Sequence, residues 1–301
     1  MTRRLGWCFF SLTAVFAVSF AVPSLRAAEV IVEKDIVYGT GGTEQLKLNL
    51  ARPEQASGLL PGLVFIHGGG WRGGNRSMYD GEIQNAARHG YVAIAINYRL
   101  TDPDDSGKAR NPFPAQIEDV KCAIRWLRAN AEKYHVDPNR IGATGGSAGG
   151  HLSLLAGVTD GSKLFEGSGG NPGVSSQVQA VVNYFGPTDL QHLHATSKHA
   201  AGVLELLLNG PPEKSSELYK TASPITYVSK DAPPILTLHG TADPVVPVDQ
   251  ATEFDAAMKK AGASHEMLLL DGEKHGFTQK GNKTASEAMY KFFDKHLQNK
   301  S

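Results

Sequence analysis

The stretch Arg140-Ile141-Gly142-Ala143-Thr144-Gly145-Gly146-Ser147-Ala148-Gly149-Gly150-His151 limits the possible fold more than any other part of this 301-residue chain. An apolar segment leads into a serine with glycine at both second neighbours, and a helix-like run, residues 151–157, leads out. A sharp strand-to-helix turn needs neighbours without Cβ atoms, because the backbone closes on itself there. Such a turn holds the serine Oγ clear of the sheet edge. It also puts the Ala148 N–H at a helix start, aimed where an oxygen becomes negative during attack on a carbonyl. The run therefore predicts a nucleophilic serine, set against the simpler reading of a glycine-rich loop with an incidental serine.

The rest of the chain alternates strand and helix patterns. Residues 31–38 and 46–51 read as strands joined by a Gly41-Gly42 turn. Residues 62–67 and 91–98 are short apolar runs of the kind buried on both faces, and residues 179–186, 234–240 and 266–270 read as further strands. Helix patterns fall at 78–89, 114–130, 248–261 and 285–297; Ile117, Val120, Ile124 and Leu127 give the second an apolar face. Asp137-Pro138-Asn139 reads as a turn into the strand that feeds Ser147. This alternation predicts an α/β fold, a mostly parallel sheet covered on both faces, with its chemistry at the carboxyl ends of the strands. Residues 187–232 interrupt the pattern and read as a small helical insertion over the site. Residues 167–176 read as a flexible polar loop.

Composition bounds the partners. Lys+Arg and Asp+Glu stand at 30 each, so no strong field recruits nucleic acid or an anionic membrane. Arg3 and Arg4 precede an apolar run over residues 5–22 that ends in small residues near Ala27-Ala28. That pattern predicts a signal peptide over residues 1–28 and a single catalytic domain over 29–301, placed in the periplasm or secreted. A retained anchor is the alternative, since the run is nearly long enough to span a bilayer. After cleavage no stable membrane association is expected. Of the two cysteines, Cys8 would leave with the leader, and Cys122 reads as a buried small hydrophobe.

His67-Gly68-Gly69-Gly70-Trp71 follows a predicted strand. Its glycines allow the N–H groups of Gly69 and Gly70 to turn inward and, with Ala148, form an oxyanion hole. Among eleven histidines, His275 is singled out by its loop after the last strand, from which it can reach Ser147. Asp243, just past another strand, is the expected acid, with Asp189 as runner-up and Asp271 third. Serine, acid and histidine then follow the chain order of α/β-hydrolases. Trp71, Tyr98 and Phe185 lie just past strand ends and are candidate pocket residues, although simple packing is an equal reading. His192, His194 and His199 suggest a metal only weakly, because no acidic partner is evident nearby. Asp102-Pro103-Asp104-Asp105 reads as a solvated turn. No phosphate loop or dinucleotide fingerprint is present.

These motifs resemble those of α/β-hydrolase esterases of the bacterial feruloyl esterase/acetyl xylan esterase kind, a group similar to the hormone-sensitive-lipase and carboxylesterase types. The resemblance rests on residues 67–71, Asn97-Tyr98-Arg99, residues 145–151, residues 243–247 and His275-Gly276-Phe277. It implies the α/β-hydrolase fold and a Ser147–Asp243–His275 triad. The segment after Pro187 departs from it and matches no known substrate-binding cap. The expected function is an exported serine carboxylic ester hydrolase that needs no cofactor or metal and works through an acyl-enzyme. Short-acyl or plant-polysaccharide acetyl and feruloyl esters are the expected substrates. The alternatives are an amidase, peptidase or arylformamidase-like hydrolase and, from another class, a non-catalytic carbohydrate-binding homologue.

Overall fold

The computed structural model describes residues 29–160 and 162–298, together with Met1, Thr2 and Gly6. The predicted leader, residues 1–28, lies almost wholly outside the described residues. In chain order the elements begin with a hairpin of β1 (Val30–Gly41) and β2 (Glu44–Pro53), followed by β3 (Leu60–Ile66). Next come α1 (Asp80–Arg88), β4 (Val92–Ile96), a two-stranded ribbon of β5 (Asp102–Pro103) and β6 (Ala109–Arg110), α2 (Ala115–Ala129) and α3 (Ala131–Tyr134). Then follow β7 (Val136–Gly146), α4 (Ala148–Val158), β8 (Ala180–Tyr184), α5 (Leu190–Thr196), α6 (Lys198–Leu207) and α7 (Pro212–Ala222). The chain closes with β9 (Ile235–Gly240), α8 (Asp249–Ala261), β10 (His265–Leu270) and α9 (Gln279–Leu297).

Eight strands form one sheet in the order β1-β2-β4-β3-β7-β8-β9-β10. Only β2 pairs antiparallel to both of its neighbours; β4, β3, β7, β8, β9 and β10 run parallel. The two-residue period of a strand sends alternate side chains to opposite faces. Val64 and Ile66 therefore join a core with Leu127, Leu152 and Phe254 from α2, α4 and α8. Leu63 and Phe65 join the other core, with Ile83 of α1 and Phe293 of α9. Burial on both faces explains why the central strands read as unbroken apolar runs.

Several boundaries differ from expectation for local reasons. Residues 137–140 belong to β7 but bulge: Leu60 pairs with Val136, and Gly62 already with Ile141. Helix α9 starts at Gln279, six residues before the predicted start at 285, because the Thr278 hydroxyl caps it by accepting from the Gly281 N–H. The polar opening turns hid that start. Residues 78–79 lie in a 3₁₀ turn, Arg76–Tyr79, that precedes α1. The 167–176 segment is not the loose loop expected. Gly169 O accepts from Thr40 N, Gly170 O accepts from Arg125 Nε, and Ser176 Oγ donates to Glu166. Glu166 in turn pairs with the buried cations Lys121 and Arg125. The acidic turn at 102–105 is self-contained: Asp102 pairs with Arg110, and Asp104 accepts from the N–H groups of Ser106 and Lys108.

The interruption at 187–232 is helical, as predicted, and holds α5, α6 and α7. Asp189 and Ser197 cap α5 and α6 by accepting from His192 N and Ala200 N. Leu190, Leu193, Leu204, Leu207 and Tyr219 are buried beneath it. Cys122 is buried, with its Sγ toward the Tyr38 carbonyl.

Candidate active site

Strand β7 ends at Gly146 and α4 begins at Ala148, so Ser147 carries the whole reversal. Its φ of 56° and ψ of −121° are rarely adopted by a residue with a side chain. The surroundings leave no other path. A Cβ on Gly145 would stand 2.3 Å from the Ile66 carbonyl oxygen, and one on Gly149 would stand 2.0 Å from the same atom. Ser147 N donates to Tyr184 O at 2.9 Å, and Ser147 O accepts from His151 N at 3.0 Å.

His275, in the loop after β10, brings Nε2 within 3.0 Å of Ser147 Oγ. Its Nδ1 lies 2.7 Å from Asp243 Oδ2, in the loop after β9. The other Asp243 oxygen accepts from Val245 N at 2.8 Å and Val246 N at 3.0 Å. Burial disfavours the Asp243 carboxylate, but the bond from His275 and these two amides outweigh it and hold the carboxyl below its usual range. Asp189 instead caps α5, and Asp271 accepts from the Thr241 hydroxyl. Asp243 is the acid paired with His275.

Gly69 adopts φ 113° and Gly70 φ 59°, conformations open to glycine. Gly69 O accepts from Arg72 N and Gly73 N, which folds the loop back on itself. Among the described residues, no acceptor takes the N–H groups of Gly69, Gly70 or Ala148. The base of the loop is fixed by His67, whose Nδ1 lies 2.8 Å from Gly68 O. Burial lowers the His67 pKa, which favours the neutral ring.

These parts surround a cavity of about 490 Å³. Among the described residues, no Asp, Glu, Lys or Arg side chain lines it. Trp71 and Phe185 line it. Tyr98 does not. Its ring stacks on His67 at 4.2 Å, and its hydroxyl donates to His67 O, so it packs beneath the glycine loop. Sequence reasoning missed Met78 and Tyr79, and also Leu193, His199 and Val203 from the insertion. They come from elements remote in sequence, and no spacing announces them.

Another missed residue is His239. Its Nε2 donates to Val246 O at 2.8 Å and stands 3.6 Å from Asp243 Oδ2. Burial lowers its pKa and favours the neutral form beside the acid. His192 and His194 do have acidic partners, contrary to expectation: Asp249 at 3.1 Å and Glu205 at 2.9 Å. Among the described residues, no group of three or more His, Cys, Asp or Glu side chains could hold a metal ion.

A mostly parallel eight-stranded sheet, helices on both faces and a serine on the turn after its central strand define the α/β-hydrolase class. Within that class, residues 48–258 match the family described as BD-FAE, and the chain belongs to it. Residues 217–300 also match a TAP-like protein family. The chain is 37% identical over 236 residues to Esterase LipQ of Mycobacterium tuberculosis, covering 76% of this chain and 53% of LipQ. It thus spans little more than half the length of that curated relative. A solved structure described as a truncated form of a carbohydrate esterase from gut microbiota superposes with a TM-score of 0.77 at 31% identity, covering 92% of this chain and 99% of that one. Esterase Est2 of Thermogutta terrifontis superposes with a TM-score of 0.71 at 28% identity, covering 93% and 96%.

Proposed function

We propose that the chain is an exported serine carboxylic ester hydrolase that works through an acyl-enzyme. The observation that carries this reading is the His275 ring, within hydrogen-bond reach of Ser147 Oγ on one side and Asp243 on the other. Ser147 Oγ attacks the ester carbonyl carbon while its proton passes to His275 Nε2. The oxygen that gains charge is met by the N–H groups of Gly69, Gly70 and Ala148. Collapse breaks the bond to the alcohol, which leaves with the proton held by His275. Water then attacks the acyl group by the same route, releasing the acid and restoring Ser147. Asp243 stays ionised throughout, orients the ring and stabilises its charged form.

A cavity lined, among the described residues, by no Asp, Glu, Lys or Arg side chain suits a neutral acyl group. The described complexes of Est2 with butyrate and propionate, and the carbohydrate esterase likeness, support short-acyl or polysaccharide acetyl and feruloyl esters as substrates. The pattern of residues 1–28 supports export. No helix among the described residues is long and apolar enough to cross a membrane.

The test is a panel of acetyl-xylan, methyl ferulate and nitrophenyl esters of increasing chain length, run with wild type and Ser147→Ala. Short-acyl esters should turn over fastest. The variant should lose about 10⁴-fold or more in kcat. Ester cleavage by Ser147→Ala at the wild-type rate would end the proposal. Faster turnover of anilides or formamides than of esters would make the chain an amidase-type hydrolase. A folded chain that an organophosphonate fails to label would point to a carbohydrate-binding homologue.

A further inference from the structure

The residue after the second glycine pair of the nucleophile turn, His151, is buried in α4 away from the reacting atoms. Its Nδ1 lies 3.3 Å from the Trp71 indole Nε1, and its Nε2 lies 2.8 Å from the Ala222 carbonyl oxygen at the end of α7. An indole N–H can only donate and a carbonyl can only accept. The two partners therefore fix one tautomer: Nε2–H donates to Ala222 O, and the bare Nδ1 accepts from Trp71. Burial supports the uncharged ring, pushing the His151 pKa down to about 4. The Trp71 ring meets the histidine edge-on, with centroids 5.1 Å apart and planes at 88°.

Trp71 directly follows Gly70 and has φ 56°, a conformation that a bulky residue holds only when its surroundings impose it. Its carbonyl accepts from Thr101 N at 2.8 Å, and its indole is fixed by His151. Trp71 also lines the cavity at Ser147. One imidazole thus joins three separate segments: the glycine loop, the helix behind the nucleophile and the last helix of the insertion.

We propose that His151 is a positioning residue that sets the N–H groups of Gly69 and Gly70 by holding the Trp71 indole, and that it ties the insertion to the same frame through Ala222. The inference rests on the ester-hydrolase reading above. Donors serve a developing oxyanion only when they already stand at the right distance, so a small loop displacement costs turnover more than ground-state binding.

The test uses a nitrophenyl acetate assay on His151→Phe, His151→Asn, Trp71→Phe and the His151→Phe/Trp71→Phe pair, with Ser147→Ala alongside. His151→Phe keeps an aromatic ring but removes the acceptor, and kcat should fall about tenfold or more while KM moves less than about threefold. His151→Asn places an oxygen near the Nδ1 position and should recover part of that loss. Trp71→Phe removes the donor at the other end, so the double variant should be no slower than the worse single variant. If His151→Phe does not fold, the recovery in His151→Asn relative to a non-accepting His151→Leu decides instead. A kcat for His151→Phe within twofold of wild type, or losses that multiply in the double variant, would overturn the inference. Ser147→Ala separates the two claims: if it stays active, the hydrolase reading fails. If it is inactive while His151→Phe is not impaired, only the positioning role fails.

Discussion

Around Ser147 the backbone has almost no freedom, whereas the insertion that forms one wall of the same cavity is held chiefly by side chains. At the turn, Gly145 and Gly149 lie so close to Ile66 O that no side chain fits at either position. In the insertion, Gln250 receives the N–H groups of Thr188 and Asp189, Ser197 Oγ donates to Val245 O, and a few leucines are buried below. Gly202, within α6, has nothing within 4 Å of the position a Cβ would take. The contrast teaches where this molecule tolerates change. The chemistry sits on atoms that cannot move without unfolding the sheet edge, and the cavity is completed by atoms that can be exchanged.

The strongest way to break that contrast is Gly149→Ala. The added methyl would press on Ile66 O at 2.0 Å, where backbone meets backbone. The expected outcome is a loss of about 3 kcal/mol of stability together with most ester turnover, read by denaturant unfolding and the nitrophenyl assay. A Gly149→Ala protein with wild-type stability and rate would mean that the turn is much softer than its geometry implies.

This difference also sets how much could be read in advance. Ser147, Gly69 and Gly70 were legible because a strained turn and a folded-back loop exclude nearly every other residue type, so the constraint is written locally. Asp243 and His275 were legible through their places after strands and their order along the chain. The insertion was legible only as an interruption. Val203 and Leu193 are ordinary apolar residues whose role depends on how α5 and α6 lie over Gly70, and no local rule fixes that. Tyr98 shows the converse. Its place past a strand end suggested the cavity, but the buried carbonyl of His67 captured its hydroxyl. The partners of His192 and His194 were hidden for the same reason, since Asp249 lies in α8 and Glu205 in α6.

The two regions meet at the loop after β9. Asp243 takes the N–H groups of Val245 and Val246, while Val245 O takes the hydroxyl of Ser197 from the insertion. Because the Asp243 carboxyl is held below its usual range in the folded chain, its ionised form favours the native state. That contribution is fully present above the unfolded value of about 3.9 and is lost as pH falls through the lower native value. Asp243→Asn imitates the protonated acid. The stability gap between wild type and this variant should therefore be at its full size above about pH 5 and narrow as pH falls below about pH 4. Unfolding curves measured across that range check it, and a gap independent of pH would mean that Asp243 does not hold the junction through its charge.

A smaller effect is expected where α6 faces the cavity. A Cβ on Gly70 would stand 3.4 Å from Val203 Cγ1, so this side chain sets the width above the glycine loop. Val203→Ala should leave acetyl ester turnover nearly unchanged and shift preference toward longer acyl chains by about 1 kcal/mol, roughly fivefold in relative kcat/KM. An unchanged chain-length profile would remove the insertion from the specificity argument.

The smallest expected effect has the opposite sign. Gly202 is exposed on α6, with open space around it. Alanine there removes freedom from the unfolded chain and meets no atom in the folded one, so Gly202→Ala should stabilise the protein by about 0.5–1 kcal/mol. Ester turnover should not change, because neither the Val203 face of the helix nor its Ser197 cap is touched. Measured beside Gly149→Ala, the same one-methyl addition then gives opposite results at the two places. If both variants lose stability, the insertion is as tightly determined as the nucleophile turn, and its helices must be held by more than the contacts of their side chains.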